Sequence, residues 1–146
     1  MFRKLALNFL LLSTIVISLF AKSNLNPHSY LPKENIEELV VSKLDLSSFR
    51  NSFGPIRKPG MIHFKDFGER PTKISKNCII FDSKDWYYQI DIVDIKDVNG
   101  DGLEDILIDF YDKSKEGSYN TVQRLLLSRY SKQGNLIAVR YDVDNK

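Results

Sequence analysis

Two periodicities divide the chain. Across residues 34–44, Ile36, Leu39 and Val40, then Lys43 or Leu44, recur at helical spacing. Glu34, Glu37 and Glu38 fall at the start, where carboxylates meet the positive end of the helix dipole. Residues 46–53 predict a second, short helix. Asp45 would be its N-cap, Phe49 and Phe53 share a face at i and i+4, and Gly54 would stop it. Gly54-Pro55 and Pro59-Gly60 then bracket a turn-rich loop. From Met61 onward the period is two. Residues 61–64 and 78–82 are short strand candidates, and 86–95 is a stronger one, with Tyr88, Ile90 and Ile92 alternating with Gln89 and Asp91. Residues 105–112 put Ile106, Ile108 and Phe110 on one face and Leu107, Asp109 and Tyr111 on the other. Strands at 121–130 and 136–143 follow, joined by a hairpin turn at 131–135. Consecutive strands with short links predict an antiparallel meander. The expected fold class is α+β, with short N-terminal helices packed on one antiparallel β-meander.

The first 33 residues change the picture of where this domain works. Arg3 and Lys4 precede an apolar stretch at 5–20, and Leu19-Phe20-Ala21 offers a small residue for cleavage. A helix over that stretch reaches only about 24 Å, short of a hydrocarbon core of roughly 30 Å. Residues 1–21 therefore predict a signal peptide, with no stable membrane insertion after its removal. Residues 22–33, with Pro27 and Pro32, form an exposed lead-in, and 34–146 a single domain. Cys78 is the one cysteine, so no lipid-bearing cysteine follows the leader and no internal disulfide forms. It sits in an apolar run and reads as a small buried hydrophobe. With no N-glycosylation sequon, a bacterial periplasmic or secreted protein is the simplest expectation.

Charge narrows the partners. The whole chain carries 21 Lys and Arg against 19 Asp and Glu; without Arg3 and Lys4 the two balance. A neutral domain has no electrostatic footprint for nucleic acid. Its charges are segregated, however: basic residues dominate 50–76 and acidic residues dominate 82–116. The two segments neutralise one another in the fold, or the acidic one gathers carboxylates around a cation.

One stretch within that acidic half carries chemistry. Asp97, Asn99, Asp101 and Asp105 place oxygen-bearing side chains at positions 1, 3, 5 and 9, with Gly100 and Gly102 between them. Calcium requires six to eight oxygens, and loop residues two apart wrap around it; the Leu103 carbonyl would add a main-chain ligand and water the rest. An EF-hand fails at Ile108, which stands where a bidentate Glu is required, and both flanks read as strands. The loop instead resembles the Asp-x-Asn-Gly-Asp-Gly-x-x-Asp calcium loops of FG-GAP and VCBS-type repeats. That resemblance implies Ca2+ held by Asp97, Asn99, Asp101 and Asp105 with the Leu103 carbonyl. One copy cannot build the family's propeller. A plain turn explains the glycines but not the spacing of four donors.

The remaining signals are weaker. His28 and His63 are the only histidines, too few with Cys78 for zinc, and neither a nucleophile elbow nor a phosphate loop is present. Asp91, Asp94, Asp109 and Asp112 offer a carboxylate pair for a small hydrolase, though a solvated sheet face is their ordinary place. Trp86, Tyr87, Tyr88, Tyr111, Tyr119, Tyr130 and Tyr141 offer rings for a glycan or a protein partner, against core packing as the ordinary role. The sequence thus points to an exported, non-enzymatic domain with a structural calcium ion. A glycan- or protein-binding module is the alternative.

Overall fold

A computed structural model describes residues 26–50 and 52–141 of the chain. The expected signal peptide lies outside the described residues. Seven strands form one sheet: β1 (Leu44–Asp45), β2 (Lys73–Ser75), β3 (Cys78–Asp82), β4 (Trp86–Lys96), β5 (Asp105–Ser114), β6 (Asn120–Ser128) and β7 (Leu136–Tyr141). Among the described residues there is one α-helix, α1 (Ile36–Lys43), and two short 3-10 helices cover Leu46–Ser48 and Phe64–Phe67.

The sheet order is β1-β7-β6-β5-β4-β3-β2. Strands β2 to β7 pair antiparallel, but β1 runs parallel to β7, with Leu44 opposite Leu136. The expected α+β class is therefore wrong. The fold is mostly β, a curled mixed sheet shaped as a half-barrel, with 13% of the described residues helical, and not helices packed on an antiparallel meander.

The second helix fails for a physical reason. Asp45 does cap it, accepting from Ser47 N at 2.9 Å, but only one 3-10 turn forms. Strand β7 takes the Ser48 carbonyl, the acceptor that a further turn would use, and holds the Ser48 side chain as well. The Tyr141 hydroxyl donates to Ser48 O, and Ser48 Oγ accepts from Ala138 N. The apolar run 61–64 is not a strand either. Asp66 Oδ2 accepts from the amides of Ile62 and His63 and winds the chain into the 3-10 helix. These two amides hold the Asp66 carboxyl below its ordinary value.

That turn delivers Phe64 to the core. Its ring stacks on Phe81 at 4.0 Å and lies near Tyr88 and Phe110. Ile79, Phe81, Tyr88, Ile90, Ile108, Phe110 and Leu125 from the sheet join Val40, Leu46, Phe49 and Phe64 in one cluster. The other face of the sheet carries a smaller patch, Leu107 with Leu126, and a polar network beside it. There Arg124 grips Asp109 through two bonds, and Gln89 Nε2 donates to Asp91. Among the described residues no helix is long and apolar enough to cross a membrane.

Candidate functional site

Strands β4 and β5 form the longest hairpin, and the two candidate sites lie at its opposite ends. At one end Lys96 pairs with Asp105 and the 97–105 loop closes; at the other, Trp86 pairs with Ser114. The β4 strand separates them by roughly 30 Å.

The loop folds on its own side chains. Asp97 accepts from Gly100 N (2.7 Å) with one oxygen and from Gly102 N (3.0 Å) with the other. Asn99 Oδ1 accepts from Asp101 N, and Asp101 Oδ1 accepts from Leu103 N, both at 2.9 Å. Gly100 and Gly102 take φ of 78° and 86°, a region closed to most side chains. Asp105 is fully buried, accepting from Ser128 Oγ and, through its second oxygen, from Val98 N. Burial pushes its carboxyl up, opposed by those two bonds and reinforced by Asp101 and Asp97.

One contact here had no sequence signal. His28 pairs with Leu103 as an isolated parallel bridge; its amide donates to Gly102 O (2.8 Å), and its carbonyl accepts from Glu104 N (2.9 Å). The lead-in, expected to be merely exposed, thus pins the far side of the loop.

The predicted ligands are brought into one loop but not onto one point. Among the described residues no group of three or more His, Cys, Asp and Glu is placed to hold a metal ion. The donor set still suits a hard cation in kind, because an oxygen that accepts one N–H keeps a second lone pair.

At the other end of the hairpin a cleft of about 540 Å³ opens between the 52–57 loop and the sheet. Trp86 and Tyr88, two apart and so on one face of β4, stack with their ring planes 3° from parallel and centroids 6.2 Å apart. Tyr119 meets Trp86 edge-on at 5.8 Å. Asp112 is 1% exposed; its Oδ2 accepts from Gly54 N (2.8 Å) and from the Tyr119 hydroxyl (3.3 Å). Its Oδ1 is buried without a hydrogen-bond partner among the described residues. Burial pushes Asp112 up, against the opposing effect of Gly54 and Tyr119. Burial and then Asp112 push Tyr88 up as well.

No family model, curated protein or solved structure matches this chain. The likeness to FG-GAP and VCBS loops therefore rests on the residues of the loop alone.

The other residues singled out from sequence are scattered. Asp91 and Asp109 oppose each other across β4 and β5, each committed to the polar network, and Asp94 pairs with exposed Lys96. The rings do not make one exposed patch: Tyr88 is buried, Trp86 half-buried, and Tyr130 exposed elsewhere on the chain after β6. Cys78 is half-buried, its thiol pushed up by burial and by Asp91.

Asp112 gives a pH prediction. Its folded-state value lies above the ordinary 3.8, so the folded chain binds a proton that the unfolded chain binds only at lower pH. Stability from this group is full below the unfolded value and is lost as pH rises through the folded value. The stability of the wild type minus that of Asp112→Asn is expected to increase as pH falls from 7 toward 4. Urea midpoints across that range test it, and a flat difference contradicts it.

Proposed function

We propose that this chain is an exported, non-catalytic domain in which the 97–105 loop takes one calcium ion as a structural staple. One observation carries the reading. Four oxygen-bearing side chains, Asp97, Asn99, Asp101 and Asp105, are drawn into a closed loop by two positive-φ glycines, with main-chain amides already orienting them. Asp97, Asn99, Asp101, Asp105 and the Leu103 carbonyl are the ligands. The ion's charge would offset the repulsion that Asp97 and Asp101 exert on Asp105. Closing onto it requires the Asn99–Asp101 side-chain bond (3.0 Å) to yield one acceptor.

The reading includes export, because calcium modules outside the cytosol work at roughly 10⁻⁴–10⁻³ M. An ion held only by the folded chain stabilises it by mass action. At calcium ten to a hundred times its dissociation constant, the expected gain is about 1.4–2.7 kcal/mol. Differential scanning fluorimetry with calcium against excess chelator measures it. Asp101→Ala should abolish the gain while leaving the chelated protein's melting temperature nearly unchanged. Superimposable melting curves with and without calcium sink the reading.

A further inference from the structure

A hollow of about 570 Å³ lies where the lead-in, α1 and the β6–β7 turn meet. That size is ordinary for a small-molecule site. Leu31 and Pro32 of the lead-in and Leu39 of α1 give it an apolar wall. The rings of His28 and Tyr30 line it as well, edge-on to each other with centroids 4.4 Å apart. Solvent reaches this lining: His28 and Pro32 are exposed, and Tyr30, Leu31 and Leu39 are half-buried.

The charged lining has one sign. It consists of Arg129 and Lys132, and among the described residues no Asp or Glu joins them. Arg129 is buried, with three of its five N–H groups donating to the carbonyls of Gly134, Tyr30 and Lys132. Carbonyl dipoles hold a guanidinium in place but bring no net charge to neutralise it. Among the described residues the ion pairs are Lys96–Asp94, Lys115–Asp82 and Arg124–Asp109, and neither Arg129 nor Lys132 belongs to one. A buried cation is ordinarily paired with an anion. Lys132 differs from Arg129 in being exposed, on a flexible stem whose ammonium can meet a ligand directly.

This combination selects its ligand. An organic cation is repelled by both side chains, and a neutral apolar molecule leaves their charge unanswered. A small hydrated anion leaves the apolar wall unused. A carboxylate joined to an apolar body satisfies both parts of the hollow. The body covers Leu31, Pro32 and Leu39, while the carboxylate accepts from Lys132 in the fixed field of Arg129. We propose that this hollow binds a small organic carboxylate with an apolar body, its charge at the Arg129–Lys132 end. The site stands apart from the 97–105 loop and does not depend on calcium.

Isotope-labelled protein, kept in excess chelator, is titrated with sodium octanoate and with sodium phenylacetate while NMR follows the backbone amides and the arginine Nε–H groups. Sodium acetate and octyltrimethylammonium chloride are the comparison ligands. Saturable shifts centred on residues 28–32, Leu39 and 129–132 are expected with at least one of the two apolar carboxylates. Acetate, without the apolar body, should bind at least about tenfold more weakly. Octyltrimethylammonium should leave those resonances in place. Lys132→Glu reverses an exposed charge, while the residue's carbonyl still accepts from Arg129. It should keep the wild-type melting temperature and weaken the carboxylate about tenfold or more. No saturable shift with either apolar carboxylate up to about 10 mM overturns the proposal. So does acetate or octyltrimethylammonium binding there as tightly, or an affinity unaltered in Lys132→Glu.

Discussion

Phe64→Ala is expected to lower the unfolding free energy by about 3–5 kcal/mol. Phe64 is 1% exposed and its ring stacks on Phe81 while reaching Tyr88 and Phe110. Truncation removes the transfer energy of a phenyl ring and leaves a cavity among three rigid aromatics, which have little freedom to collapse into it. Against a total of roughly 5–15 kcal/mol for a domain, that is a large fraction. Chemical denaturation measures it, and Ile56→Ala, at a position in solvent, should stay within about 0.5 kcal/mol of the wild type. A loss below about 1 kcal/mol for Phe64→Ala would mean that the 61–67 segment does not seal the core.

Arg129→Ala is the second large effect, at about 2–4 kcal/mol. Arg129 is 6% exposed and spends its planar fork on main-chain carbonyls. Nε donates to Gly134 O (2.9 Å), one terminal nitrogen to Tyr30 O (2.8 Å) and the other to Lys132 O (2.5 Å). A single side chain therefore closes the β6–β7 turn and fastens the lead-in beside it. Alanine strands three acceptors at once. Arg129→Lys keeps the charge but loses the fork, so it should recover less than half of the loss. Limited proteolysis adds an independent readout, because cleavage within residues 26–33 should accelerate in Arg129→Ala. Unchanged cleavage together with an unchanged urea midpoint would contradict the assignment.

How much of this was legible in the sequence depends on element length. Strand β3 occupies the expected 78–82, and β4 and β5 start at Trp86 and Asp105 as the period-two pattern predicts. Strand β1 is two residues and β2 three, too short to display any period. Their absence from the reading hid the parallel β1–β7 pairing that makes the sheet mixed. Residues 61–64 looked like a strand because their apolar content is real. What decided their form was Asp66, a side chain beyond the window, turning back onto two amides.

The sites divide in the same way. The 97–105 loop announced itself through side-chain spacing, since its geometry is local and written in consecutive residues. The His28 clamp on it joins segments far apart in the chain, through main-chain atoms that no residue type reveals. The cleft was half visible. Trp86, Tyr88 and Tyr119 stood out as rings, and Asp112 as one acid among four. Two long-range bonds bring the 52–57 loop over them: Gly54 N donates to Asp112 across 58 residues, and the Tyr119 hydroxyl donates to Ser52 O across 67.

The pairing of β1 with β7 has a consequence in time rather than in space. Tyr141 and Ser48, which hold this seam together, are 93 residues apart. Closing so long a loop is entropically unfavourable until the intervening strands have already shortened the path. The β3–β6 ladder can zip from neighbour to neighbour, whereas β1 has nothing to pair with until Leu136 has been made and β7 has docked on β6. The order of assembly is thereby written into the strand order: the earliest strand of the chain is the last to find its place. The same seam, only two residue pairs long, is where hydrogen exchange should first report opening in the mature fold.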